Sequence, residues 1–272
     1  MAVSQFFGSF CQILLALLKL LQEHSGDDWD PFLIPFVCML GATEDEEMAQ
    51  FYIVNSKAKS VRTDLALELL KQLTQRNPEM MDALTEKGKD WQIQAQQLVR
   101  ELSEASPVWR GRIRFAAMEK GDTTMPSASM VTSLKPVLAS PYFKALEMKD
   151  QLQVLDAFWR GLRNLMQEAF DHADEFVMQK GVGVIALHYA LVQVIEIVRA
   201  RGESVIEPAS YEKVLREPLE KLQGDDRSAR PVSGMDFWRA GPDGAAGSYS
   251  SSAGRRVLIA KIQSLLPRIA AV

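Results

Sequence analysis

Three groups of basic residues carry the chemistry this sequence is best equipped to do. Lys57, Lys59 and Arg62 follow Asn55 in a turn-to-helix junction. Arg110, Arg112 and Arg114 alternate along Trp109-Arg110-Gly111-Arg112-Ile113-Arg114-Phe115, and Arg255 and Arg256 follow Gly254 where the last apolar-periodic segment begins. Lysine and arginine head groups form charge-assisted hydrogen bonds with phosphate oxygens, arginine often through two parallel N–H donors. Backbone N–H groups at a helix start offer an anion the same kind of donor. The competing reading for each group is a solvated face neutralised by acidic neighbours. The chain has many of these, with 35 Asp and Glu against 31 Lys and Arg, for a net charge of −4. Non-specific nucleic-acid binders are usually basic overall, so any phosphate contact must come from a local patch. Asn55 also has a structural reading, because a turn asparagine often caps backbone groups.

Other chemistry has little support. His24, His172 and His188 lie far apart, and none has a metal-ligand partner three or four residues on. The densest set of possible ligands is Asp171-His172-Ala173-Asp174-Glu175. On a helix its carboxylates share a face from which His172 is turned away, which reads as a solvated surface rather than a metal site. His188 lies in the apolar run Val184 to Leu191 and reads as a core histidine with one backbone partner. No P-loop, G-x-S-x-G or H-E-x-x-H motif occurs. Gly181-Val182-Gly183 has no strand before it and reads as a helix start. No cofactor, metal site or catalytic cluster is therefore expected. Two cysteines, Cys11 and Cys38, are too few for a disulfide framework or a cysteine zinc site and fit the reducing cytoplasm.

The elements that must position these residues are mostly helical. Ile13 to Leu21 is a strong helix former. The apolar stretch Phe6 to Leu21 is short of the roughly 20 apolar residues that span a bilayer. It lacks the basic flank and cleavage site of a signal peptide, so a buried helix and no membrane segment are expected. Phe32 to Leu40 reads as a buried strand, and Thr43-Glu44-Asp45-Glu46 as a capping box opening a helix. Helices are expected over 63–75, from Asn77 through Leu84, and over 91–104. Trp109 to Phe115 reads as a strand with its arginines on one face and Trp109, Ile113 and Phe115 on the other. Gly121 to Ser133 is turn-rich. Helices follow over 142–147, 151–171, 183–201, 211–222 and 254–266. The Gly-, Ser-, Asp- and Pro-rich stretch 223–253 reads as a surface loop anchored by Phe237-Trp238.

The order of these pieces resembles DGQHR-domain proteins, a bacterial family tied to DNA modification and defence. The likeness is carried by Phe32 to Leu40, then Thr43-Glu44-Asp45-Glu46-Glu47, then the phrase from Phe51 through Asn55 and Lys59 to Val61. Thr132-Ser133-Leu134-Lys135, the helix led by Gly181, Phe237-Trp238 and the run Tyr249 to Arg255 are similar too, so most of the chain after about residue 14 is covered. The naming motif is absent: the apolar helix Leu14-Leu15-Ala16-Leu17 is present, but Ser9-Phe10-Cys11-Gln12-Ile13 stands where Asp-Gly-Gln-His-Arg belongs.

The resemblance implies an α+β fold, predominantly helical. An incomplete DGQHR-like domain with a small remnant of a ParB-like sheet is expected over 1–130, and a helical C-terminal region with its loop over 131–272. It implies a cytoplasmic, DNA-associated accessory or regulatory protein of a DNA-modification or defence system. Its partners would be double-stranded DNA and other proteins of that system, without motif-dependent catalysis. The open alternative is a helical protein-interaction module or a truncated remnant without function, with the same basic residues merely solvated.

Overall fold

The computed structural model describes residues 91–269 apart from 116, 117 and 120, together with Thr43, Asp45 and Glu46. The expected helices and strand before residue 91 otherwise lie outside the described residues. The three described there form the expected capping box. The Thr43 backbone N–H and hydroxyl both donate to Glu46 Oε2, at 2.8 and 3.0 Å, and the Glu46 N–H donates back to Thr43 Oγ1 at 3.3 Å. Those bonds to Thr43 hold the Glu46 carboxyl below its ordinary range.

The fold is α+β and predominantly helical. Its described helices are α1 (Trp91–Ala105), α2 (Ser127–Ser133), α3 (Lys135–Ala139), α4 (Pro141–Lys144), α5 (Met148–Leu165), α6 (Gln167–Asp171), α7 (Gly181–Ala200), α8 (Pro208–Lys221), α9 (Gly234–Phe237) and α10 (Ser252–Leu265). The strands are short. β1 (Ile113–Arg114) runs parallel to β2 (Met125–Pro126), and β3 (Gln223–Asp225) antiparallel to β4 (Pro231–Ser233).

Helix α7 is apolar on nearly every side, from Val184 and Leu187 through Leu191 and Val194 to Val198. A helix hydrophobic all round belongs inside. By length and composition α7 could cross a membrane, but here α2, α3, α8 and α10 surround it. It starts at Gly181, as the glycines predict. Gly183 lets the chain turn back tightly, because a Cβ there would lie 2.4 Å from the Val177 carbonyl oxygen.

Helix α5 buries Gln151, Val154, Leu155, Phe158 and Leu162 along one stripe, the spacing of an amphipathic helix. Asp150 in its first turn and Arg163 in its last complement the helix dipole. A continuous buried cluster runs from Ala95 to Leu266, and residues on both sides of position 130 share it.

Three expectations need correction. The turn-rich stretch ends in helix α2. The helix expected over 151–171 starts earlier, at Met148, and breaks at Met166 (φ −128°, ψ 45°). It ends at Asp171, and 172–175 form turns. The chain leaves the helix because Ala173 and Phe176 turn into the core.

The stretch 223–253 is not simply a surface loop. It holds the β3–β4 hairpin and α9, and it buries Phe237 and Trp238 completely along with Ala245 and Ala246. The Val177 N–H donates to the Trp238 carbonyl at 2.9 Å, the Ala240 N–H donates to Glu175 at 2.7 Å, and Phe176 bridges Arg239. Its composition is that of a loop, but the two buried aromatics fold it against the core.

Candidate nucleic-acid interface

The segment holding Arg110, Arg112 and Arg114 is the best-defined part of the candidate interface, and it is not the strand expected. Residues 107–112 are turns. The Trp109 and Arg110 N–H groups both donate to the Ser106 carbonyl, at 3.3 and 3.0 Å, and the Arg112 N–H donates to Trp109 at 2.9 Å. Gly111 adopts φ +73°, a left-handed conformation that glycine enters at little cost. Backbone donors committed to turns cannot serve a sheet ladder, so pairing begins only at Ile113.

The alternation of environments survives without the strand. Trp109 and Ile113 are buried and Phe115 packs against the core, whereas Arg110 is exposed and Arg112 and Arg114 are half-buried. Trp109 anchors the turn by meeting the Trp159 ring edge-on at 4.7 Å. The Arg110 Nε donates to the Glu104 backbone carbonyl at 3.2 Å, and Arg112 Nη1 to that of Asp122 at 3.3 Å.

Arg255 and Arg256 sit in the first turn of α10. The Ser251 hydroxyl accepts from the Gly254 N–H at 2.9 Å, so that donor is already used. The Arg255 guanidinium folds back onto the Ser250 carbonyl at 3.0 Å and the Ser252 hydroxyl at 3.3 Å, while Arg256 is exposed. This pair has different packing neighbours from the first group. Helix α10 lies on α7, α8 and the turn 246–250, and β1 on β2 and α2. Asn55, Lys57, Lys59 and Arg62 lie outside the described residues.

Ion pairing distinguishes these arginines from Arg230 and Arg239, while Arg201, Arg227 and Arg268 are likewise without an ion pair among the described residues. Arg230 pairs with Asp226 at 2.7 Å and Asp243 at 3.3 Å. Arg239 pairs with Asp236 at 2.8 Å and Glu168 at 3.2 Å, and it lies over the Phe176 ring. Among the described residues, no carboxylate forms an ion pair with Arg110, Arg112, Arg114, Arg255 or Arg256. No described carboxylate therefore offsets the charge of these five guanidiniums through an ion pair, in a chain that is acidic overall.

The other chemical candidates resolve into structure. His188 is fully buried, as a core histidine, with Trp159 Nε1 at 3.1 Å and Ser133 Oγ at 2.8 Å as side-chain partners. Among the described residues, no three His, Cys, Asp or Glu side chains converge as metal ligands. Asp171 instead pairs with Arg163 at 3.3 Å and accepts from Gln167 at 3.2 Å. A cleft of about 570 Å3 opens beside Tyr142, Asp150, Glu203 and Ile206, with Arg199 stacked on the Tyr142 ring at 4.0 Å. None of the basic residues picked from sequence lines it.

Arg160 and Arg163 are functional candidates that only the structure brings forward. They line a groove of about 270 Å3 with Asn164, Gln167, Pro107 and Val108, the last only two residues before Arg110. The available signal was the spacing 160, 163, 164, 167, a polar stripe on the helix face opposite Phe158, Trp159 and Leu162. Comparison with known proteins finds no matching family model, no matching curated protein and no matching solved structure.

Proposed function

We propose that this protein is a DNA-associated accessory or regulatory component of a bacterial DNA-modification or defence system, related to the DGQHR-domain family and working in the cytoplasm. It holds double-stranded DNA by its phosphates, alongside other proteins of that system, and no chemical step is assigned to it. The observation that carries this reading is the set Arg110, Arg112 and Arg114. It stands on a turn locked by the buried Trp109, with no carboxylate paired to any of the three among the described residues. A rigid mount lowers the ordering cost of each phosphate contact, and an unneutralised guanidinium needs no ion pair broken first.

The test is fluorescence anisotropy of a labelled DNA duplex across a salt series, comparing the unaltered chain with an Arg112→Ala/Arg114→Ala variant. Phosphate contacts release counterions, so loss of two should lower the log–log salt slope by about 2 and weaken binding at every salt concentration. Absence of binding even at low salt would overturn the proposal in favour of a helical protein-interaction module.

A further inference from the structure

The groove walled by Pro107 and Val108 extends this reading to residues outside the sequence-derived set. Its described lining presents two guanidiniums and two carboxamides, from Arg160, Arg163, Asn164 and Gln167. Arg160, Arg163 and Asn164 stand at i, i+3 and i+4 on one face of α5, and Gln167, the first residue of α6 after the break at Met166, lines the same groove. The opposite face, through Phe158, Trp159 and Leu162, is locked in the core. On the other side stands the Pro107-Val108 turn. It is held from below by the buried Gln179, whose Nε2 donates to the Val108 carbonyl at 3.0 Å. Both walls are thus fixed while the arginine arms remain about half exposed.

We infer that this groove seats phosphate groups of a nucleic-acid backbone, continuing the contact surface from Arg110 onto α5. The inference rests on the DNA-associated reading for its ligand. Each arginine already has a carboxylate outside the groove lining: Arg160 to Asp156 at 3.8 Å and Arg163 to Asp171 at 3.3 Å. Exposed pairs of this kind hold weakly, so a bidentate phosphate contact can take over the guanidinium fork. The Asn164 and Gln167 amides donate to Glu212 Oε1 at 2.7 Å and Asp171 Oδ2 at 3.2 Å, both exposed bonds, so a phosphate seated here takes over donors now held by carboxylates.

The experiment uses the full chain and two probes, a labelled DNA duplex and inorganic tripolyphosphate, with Arg160→Ala/Arg163→Ala and Arg160→Lys/Arg163→Lys variants checked by thermal melting. The alanine variant should bind the duplex at least tenfold more weakly, with a salt slope lower by about 2. The lysine variant should fall between, since it keeps charge and loses the planar fork. Unchanged duplex binding by the alanine variant would overturn the groove and leave the wider reading standing. Tripolyphosphate binding that the alanine variant loses, without duplex binding by any form, would support the groove as a phosphate site and sink the nucleic-acid reading. Binding of neither probe would sink both.

Discussion

The indole Nε1 of Trp159 donates a 3.1 Å hydrogen bond to Nε2 of His188, and this contact determines where the histidine proton sits. An indole N–H can only donate, so Nε2 must be the bare nitrogen and Nδ1 carries the hydrogen. Nδ1 then donates to Ser133 Oγ at 2.8 Å, and the serine hydroxyl passes its own hydrogen to the Met130 carbonyl at 2.6 Å. A chain of three hydrogen bonds thus joins α5, α7 and α2 through the centre of the protein.

That chain makes the fold sensitive to acid. Burial pushes the His188 pKa down to about 3, with the bond to Ser133 opposing in part. Above pH 6.5 the imidazole is neutral both folded and unfolded, and its full contribution is present. As pH falls from 6.5 towards 3, the unfolded chain takes up a proton that the folded one refuses, so stability is lost across that window, on the order of 4 kcal/mol. A His188→Gln variant can keep both hydrogen bonds without titrating. Urea midpoints at pH 7, 5 and 4 should fall more steeply for the unaltered protein than for the variant; equal slopes would refute this account.

Gln151 is a second buried polar tie. Its Nε2 donates to the Phe143 and Leu146 carbonyls at 2.9 and 3.2 Å, and its Oε1 accepts from Gln94 at 2.9 Å. Gln151→Leu leaves two carbonyls and an amide without their partner, for an expected loss of roughly 1–3 kcal/mol in urea denaturation. Gln94→Ala removes only the outer bond and should cost less than half as much. The reverse ranking would contradict the arrangement.

Two glycines should respond differently to alanine. A Cβ on Gly183 would meet the Val177 and Met178 carbonyl oxygens at 2.4 and 2.6 Å, so the start of α7 must shift. At Gly111 nothing lies within 4 Å, and only the left-handed backbone resists a side chain. Gly111→Ala is expected to cost roughly 1–2 kcal/mol. Gly183→Ala should lower the melting temperature further than that, and equal shifts would mean that the tight approach is not maintained in solution.

The β3–β4 turn has room for improvement. Ala229 sits at φ 56°, where a side chain is disfavoured. The turn is held by Asp226, which accepts from the Ser228 and Arg230 N–H groups at 2.7 and 2.9 Å and from Arg230 Nε at 2.7 Å. These bonds, led by that from the Arg230 backbone, hold the Asp226 carboxyl below its ordinary range. Ala229→Gly should raise stability by about 1 kcal/mol. Asp226→Asn should loosen the hairpin, readable as faster amide exchange at 228–230. A destabilised Ala229→Gly variant would show that the strain lies elsewhere.

Much of this architecture is legible in the sequence because it is local. The apolar spacing of α1, α5, α7 and α8, the reciprocal Thr43–Glu46 cap and the start of α7 at Gly181 depend on contacts within a few residues. The predominance of helix follows from them, as does the anchoring role of Phe237-Trp238. The alternation around Arg110, Arg112 and Arg114 correctly separates buried from solvent-facing side chains. It cannot show whether a partner strand exists, and the Ser106 carbonyl took the backbone donors instead.

What only the tertiary structure decided are the relationships across long stretches of chain. A composition of Gly, Ser and Pro could not reveal that 223–253 folds onto 175–177, because the Trp238 carbonyl finds its donor 61 residues away in Val177. Nor could it show that Pro107-Val108 would close a groove over Arg160 and Arg163. Helix periodicity tells which side chains share a face, since backbone hydrogen bonds set that spacing. What a face meets depends on burying the most apolar surface at once, through chain segments far apart in sequence.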